Sequence, residues 1–186
     1  MSHCQLTSIC EGFNTKGLSL SIENNGIGCT SIDKVYDNCG FETNSPCPLF
    51  DIEFTNQKQI DDFKLNYPDC QELGQLSILD RYGDITNLEG LSNIKVIKKD
   101  CQIIRANIKD FSGLSSVIEI GEKLYVSKCN KLTSFVGFDS LKTIGVGINL
   151  MSCNKVSSFN DLSNVNLCDK DNKRHLIYIS GCDNLT

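Results

Sequence analysis

Apolar residues along most of this chain fall three positions apart. In the stretch 124–145, LYVSKCNKLTSFVGFDSLKTIG, Leu124 and Val126 stand two apart, as on one face of a short strand. Cys129, Leu132, Phe135, Phe138, Leu141 and Ile144 then follow, each three residues after the last. On an α-helix a step of three drifts by roughly 60° each time, so the apolar residues leave any single face. On a strand an odd step alternates faces. The pattern predicts a chain that turns corners around a central core, one coil upon the next.

The same pattern recurs. Strand-like starts at Leu76, Cys101, Leu124, Ile148 and Ile177 are spaced 25, 23, 24 and 29 residues apart. The first start leads to Ile85, Leu88, Leu91, Ile94 and Ile97, and the second to Ile108, Phe111, Leu114, Val117 and Ile120. The fourth leads to Cys153, Val156, Phe159, Leu162 and Val165. Gly90, Gly113 and Gly137 hold one place in successive coils, where Asp161 breaks the series. Gly121 and Gly145 close two coils, as corners needing unusual dihedrals would. One short strand per coil at a period of 20–30 residues predicts a mainly β repeat solenoid over 73–186. The longer last interval, within NLCDKDNKRHL, reads as a loop insertion.

Upstream, 1–40 reads as the end and cap of a preceding array. Leu18, Leu20 and Ile22 alternate as in a half-buried strand, and Asn24-Asn25-Gly26 supplies a turn. Thr30 or Ser31 can cap a short helix carrying Ile32, Val35 and Tyr36 on one side. Cys29 and Cys39 bracket that helix and form one disulfide candidate. Residues 41–50, FETNSPCPLF, read as a linker. Over 51–72 the sequence predicts a capping helix at 56–66, capped by Thr55, with Ile60, Phe63 and Tyr67 along one side and a stop at Tyr67-Pro68. Cys47 and Cys70 flank it as a second disulfide candidate. Asp61 and Asp62 are adjacent and do not face each other, which makes them solvated rather than an acid–base pair.

Net charge is −5, which argues against a general attraction to nucleic acid or anionic membrane. The basic cluster Lys95, Lys98 and Lys99 reads as solvated surface. Eleven cysteines in 186 residues point to an oxidising compartment, and an odd number leaves at least one unpaired within the chain. There is no C-x-x-C pair and there are only two histidines, so no metal site is expected. Asp169 and Asp171 lack the remaining ligands of a calcium loop. No apolar run approaches the roughly 18 residues of a membrane span, and the N-terminus has no signal-peptide pattern. The expectation is a monomeric segment of a longer secreted or surface protein, cut short at its C-terminal end. Motifs for acyl transfer, zinc hydrolysis and phosphate binding are absent, which predicts a non-enzyme without cofactor. Asn184-Leu185-Thr186 is a glycosylation sequon.

The stretch 124–145 resembles the leucine-rich-repeat-like coils of the receptor L-domain family, which form the ligand-binding lobes of insulin- and epidermal-growth-factor-type receptors. It is more similar still to repeat arrays of bacterial cell-surface proteins. In those arrays, too, an element like FTNQKQIDDFKLNYPDC precedes coils like LSILDRYGDITNLEGLSNIKVI, and LSIENNGIGCTSIDKVYDNC is similar to their endings. The resemblance implies right-handed coils with short capping helices. Departures are Cys101 at a strand position usually aliphatic, Asp161 for glycine, and the insertion at 166–176. No receptor ligand-contact residue has a match.

Two features could carry function. Cys129, Cys153 and Cys182 occupy equivalent places in successive coils. They could be buried thiols packed as small hydrophobes, partners in a disulfide between neighbouring coils, or a redox or metal site. The second feature is the outward side of the strands. Alternation puts Ser77, Gln102, Tyr125, Asn149 and Tyr178 in one outward column and Leu79, Ile104, Ser127, Met151 and Ser180 in another. Tyr125, Tyr178, Ile104 and Met151, with Gln102 and Asn149, would form an exposed patch of the kind that marks interfaces. The expected function is therefore non-enzymatic extracellular recognition or adhesion, binding a protein or glycan on this face. The alternative is a structural spacer whose columns only stabilise the sheet.

Overall fold

A computed structural model of the chain describes residues 46–48, 51–168 and 176–185. The chain divides into two units, Met1–Ser45 and Pro46–Thr186, and all described residues belong to the second. Cys29, Cys39 and the short helix expected near Ile32 lie outside the described residues.

The described fold is mainly β, with parallel strands in two sheets and one α-helix. It opens with β1 (Ile52–Phe54), α1 (Gln57–Asn66), β2 (Glu72–Leu73) and β3 (Leu76–Leu79). Then come β4 (Val96–Ile97), β5 (Cys101–Ile104), β6 (Glu119–Ile120), β7 (Lys123–Ser127) and β8 (Thr143–Ile144), and finally β9 (Gly147–Met151), β10 (Asn166–Leu167) and β11 (Leu176–Ser180). The odd-numbered strands form a six-stranded sheet in chain order, and the even-numbered ones a five-stranded sheet. The expectation of one strand per coil is corrected here: each return of the chain contributes two. Ile97, Ile120, Ile144 and Leu167, the last or nearly last apolar residues of each run, sit in two-residue strands that pair in parallel. Two paired residues leave no periodicity of their own in a sequence. β1 is likewise a strand within the segment read as a helical cap, and its signal was the alternation of Ile52 and Phe54.

The step of three has a direct cause. The N–H of one apolar residue donates to the carbonyl of the apolar residue three before it: Leu91 to Leu88 (2.9 Å), Ile94 to Leu91 (3.0 Å), Leu114 to Phe111 (2.7 Å), Val117 to Leu114 (2.9 Å) and Leu141 to Phe138 (3.0 Å). Leu162 donates to Phe159 in the same way (2.9 Å), and three such segments are 3-10 turns, at Glu89–Leu91, Ser112–Leu114 and Asn160–Leu162. A 3-10 turn has three residues per turn, so positions i and i+3 eclipse and share one face. The apolar series is therefore the inward edge of a tight, repeatedly interrupted helix. Its members are buried from Ile85 to Val156 and form one core with the inward strand residues. Phe111, Phe135 and Phe159 stack along it with ring centroids 5.6 and 5.0 Å apart.

Gly90, Gly113 and Gly137 are required by close approach. A Cβ on Gly113 would overlap the Leu88 backbone carbonyl, and one on Gly90 the Ile60 carbonyl of α1. Gly121 and Gly145 have the same cause rather than unusual dihedrals: a side chain there would strike the backbone of Lys98 and of Gly121. Asp161, at the break in the glycine series, accepts the Phe135 N–H at 3.0 Å through its carboxylate.

α1 is capped by Asn56, not by Thr55. The Asn56 side chain accepts from Gln59 N (3.0 Å), while the Gln59 side chain reaches back to Thr55 N (2.6 Å). Its buried residues are Ile60 and Phe63, and Phe63 meets Phe54 edge-on at 5.5 Å. The expected Cys47–Cys70 disulfide is present, linking the start of the unit to the segment after α1. At the other end, Ile177 and Ile179 stand in register with the core residues Ile148 and Leu150 yet are 55% and 41% exposed. With Phe159, Leu162, Val165 and Leu167 they line an apolar cleft of about 400 Å³.

Candidate functional site

The outward face of the six-stranded sheet is positioned by strand alternation. In β3, β5 and β7, Leu76, Ile78, Cys101, Ile103, Leu124 and Val126 point into the core and are fully buried. Their neighbours must then point outward. Parallel pairing brings Ser77, Gln102, Tyr125, Asn149 and Tyr178 side by side in one column. Leu79, Ile104, Ser127, Met151 and Ser180 form the second. Both columns have the register that alternation predicts.

Their exposure differs from expectation. Of the four patch residues only Tyr178 is well exposed, at 44%; Ile104, Tyr125 and Met151 are half-buried, and Ser127 is 5% exposed. Tyr125 and Met151 lie against each other. The Tyr125 hydroxyl reaches the Met151 sulfur at 3.6 Å, a diagonal contact between neighbouring strands, and Ser127 is flanked in register by Ile104 and Met151. Alternation gives direction but not side-chain length, and Tyr125 is long enough to cross to the next column. Gln102 is half-buried and donates to Asp100 at 3.2 Å, while Asp100 also accepts the Lys123 N–H at 2.9 Å. Charge lies at the margin toward β1, where Arg81 pairs with Glu53 (3.3 Å) and Lys99 with Asp51 (2.9 Å). The hydrogen bond to Asp51 raises the Lys99 pKa.

No family profile, curated protein or solved structure matches the chain. The chemistry of the face therefore has to be read from its own residues. It offers branched aliphatic, thioether and phenol surface with a few amides and hydroxyls.

The corner after each long strand holds the other candidate. Arg105, Lys128, Ser152 and Gly181 follow β5, β7, β9 and β11, all with positive φ between 53° and 65°. Each of the first three donates its N–H to the last residue of the next strand, as Lys128 does to Met151 (2.8 Å) and Ser152 to Ser180 (2.8 Å). This left-handed step turns the following residue inward: Ala106, Cys129 and Cys153 are fully buried, and Cys182 is partly so. All three thiols are unpaired, as are Cys101 and Cys168. The Cys129 thiol donates to the Ile103 and Ser127 carbonyls (3.7 and 3.6 Å) and the Cys153 thiol to the Met151 carbonyl (3.4 Å). Interaction between these two neighbouring thiols pulls Cys153 below the usual thiol value and, together with burial, holds Cys129 well above it. Burial, with a further contribution from the charge of Asp100, pushes Cys101 up to about 12, as suits a thiol standing where its neighbours are aliphatic. Among the described residues no group of three His, Cys, Asp or Glu could hold a metal ion, and no helix is long and apolar enough to cross a membrane.

Sequence reasoning missed Asp80. Its buried carboxylate accepts the backbone N–H groups of Tyr82 (3.1 Å), Gly83 (2.6 Å), Asp84 (3.3 Å) and Ile85 (3.1 Å). It stands where the left-handed residue falls in later coils and organises the first corner from its side chain. Asp80 before Tyr82-Gly83 was the available signal.

Proposed function

We propose that this chain is a stretch of right-handed leucine-rich-repeat-like solenoid acting outside the cell or at its surface. It serves as a non-enzymatic recognition module that takes a protein ligand on the outward face of its six-stranded sheet. The observation that carries this reading is the in-register surface of Leu79, Ile104, Tyr125, Met151 and Tyr178 across five neighbouring strands. Methionine and tyrosine are enriched at protein interfaces, and the scarcity of charge within the face suits an apolar partner better than a glycan. The repeat reading is supported by the recurrence of strand, left-handed corner and close-approach glycine at nearly constant spacing. The Cys47–Cys70 disulfide fits an oxidising compartment.

A structural spacer is the second reading. It is favoured by the way Tyr125 and Met151 already satisfy each other. Binding of the full chain to protein and glycan arrays separates the two. Changing Tyr125 and Tyr178 together to Ser should weaken a protein ligand by roughly tenfold or more, the range of an aromatic hot spot. Undiminished binding would remove the face from the mechanism, binding to glycans alone would change the ligand class, and binding to nothing would favour the spacer.

A further inference from the structure

Cys129, Cys153 and Cys182 stand two residues beyond Ser127, Met151 and Ser180, which pair in register on adjacent strands. Left-handed Lys128, Ser152 and Gly181 precede them and aim all three into the same corner of the core. Neighbouring strands lie about 4.8 Å apart, within the Cα separation of roughly 4.4–6.8 Å that a disulfide bridges. Cys129 and Cys182 are two strands apart, about 9.6 Å by the same spacing, which is beyond that reach. Every bridge available within the column therefore includes Cys153. Access then separates its two partners. Cys129 and Cys153 are fully buried, whereas Cys182 lies at the end of the sheet and is partly open.

We propose that Cys153 and Cys182 form a reversible disulfide that ties the last strand, β11, to the stack, with Cys129 left as a thiol. The oxidant is a small-molecule disulfide such as oxidised glutathione. The Cys182 thiolate attacks one sulfur of that disulfide, its S–S bond breaks, and one thiol leaves with a proton. The Cys153 thiolate then attacks Sγ of Cys182 in the mixed disulfide and releases the second thiol. Two protein thiols have lost two electrons and two protons, and one oxidant molecule has become two thiols. The bond joins the corner after β9 to the corner after β11. β11 is the strand that gains most, because among the described residues it pairs only with β9 and its core-side isoleucines are exposed.

The test treats the native full chain with oxidised glutathione, then denatures it, blocks the remaining thiols and maps the peptides by mass. The expected products are a peptide linking Cys153 to Cys182, an alkylated Cys129 and an unchanged Cys47–Cys70 bridge. Cys129→Ser should keep the new link. Cys153→Ser should lose it and leave Cys182 only as its mixed glutathione disulfide. Serine at a buried site can itself destabilise the fold, so the unsubstituted chain supplies a second readout. Amide exchange across Leu176–Ser180 should slow by at least roughly tenfold on oxidation and recover with dithiothreitol, a lower bound on what closing a loop of this size implies. A column that stays reduced, a bridge from Cys129 to Cys153, or a link from Cys182 to any other cysteine would overturn the proposal. So would unchanged exchange in the oxidised chain.

Discussion

The two ends of the stacked sheets are finished in different ways. At the β1 end, α1 lies against the first 3-10 turn so closely that the Ile60 carbonyl occupies the space of a Gly90 side chain. Gln57 from the same helix accepts the Thr86 and Asn87 N–H groups at 2.8 and 3.2 Å. Two coils later, the equivalent Thr133 N–H finds the Lys109 carbonyl of the preceding coil instead (2.9 Å). A helix side chain thus plays the part that the carbonyl of a neighbouring coil plays further along, and the Cys47–Cys70 bridge links the segment before β1 to the one after α1. At the β11 end, Ile177 and Ile179 repeat the core positions of Ile148 and Leu150 but face an open cleft. Inward position and burial are therefore separate properties. Alternation supplies the first, and only a neighbour on the far side supplies the second.

Paired substitutions at the two ends break or sharpen this contrast. The largest difference is expected between Gly90→Ala and Gly181→Ala. The first forces a methyl into the α1 backbone and should cost roughly 4 kcal/mol, at or beyond the upper end of overpacking effects, or prevent folding. The second places a methyl in ordinary van der Waals contact with Ser152 at 3.5 Å and pays only for a positive φ of 62°, about 1 kcal/mol. Equal losses in urea unfolding would mean that the β1 end is not packed as described. Next comes Ile60→Ala against Ile177→Ala. Truncating the fully buried Ile60 should cost about 3 kcal/mol, while truncating the half-exposed Ile177 should cost under about 1 kcal/mol. A large effect at Ile177 would show that something covers the cleft in solution. The smallest step is Cys47→Ser, which opens a loop of sequence separation 23 and should lower stability by about 2 kcal/mol. That loss should vanish when both proteins are compared under strong reductant, and a difference that persists would assign the effect to packing instead.

Much of this arrangement was legible in the sequence, for identifiable reasons. Strand register could be read because Leu76, Cys101, Leu124, Ile148 and Ile177 each begin the same alternation, and a parallel sheet aligns equivalent positions. The step of three identified the core residues although its cause, 3-10 hydrogen bonding, was not recognised from the pattern. What stayed hidden depended on distances between segments. The overlap awaiting a side chain at Gly121 comes from Lys98, a residue 23 positions earlier, and no local dihedral preference signals it. The burial of Ser127 depends on the lengths of its neighbours on two other strands. Asp80 was passed over because an acidic residue after a strand reads as surface until its four N–H donors are in view.

The register of the long strands also bears on how such a molecule can change in size. Lys123 pairs with Gly147, so residues 123–146 begin and end at equivalent points of the sheet. Removing that segment whole would set Cys101 against Ile148, Gln102 against Asn149 and Ile103 against Leu150. Inward residues would still meet inward residues, and outward ones outward. Duplicating it would add one Tyr125 and one Cys129 to their columns and shift no other partner. A gain or loss of length in increments of this one segment therefore keeps inward and outward positions matched, whereas one extra residue within a strand would turn the rest of that strand's side chains to the opposite face.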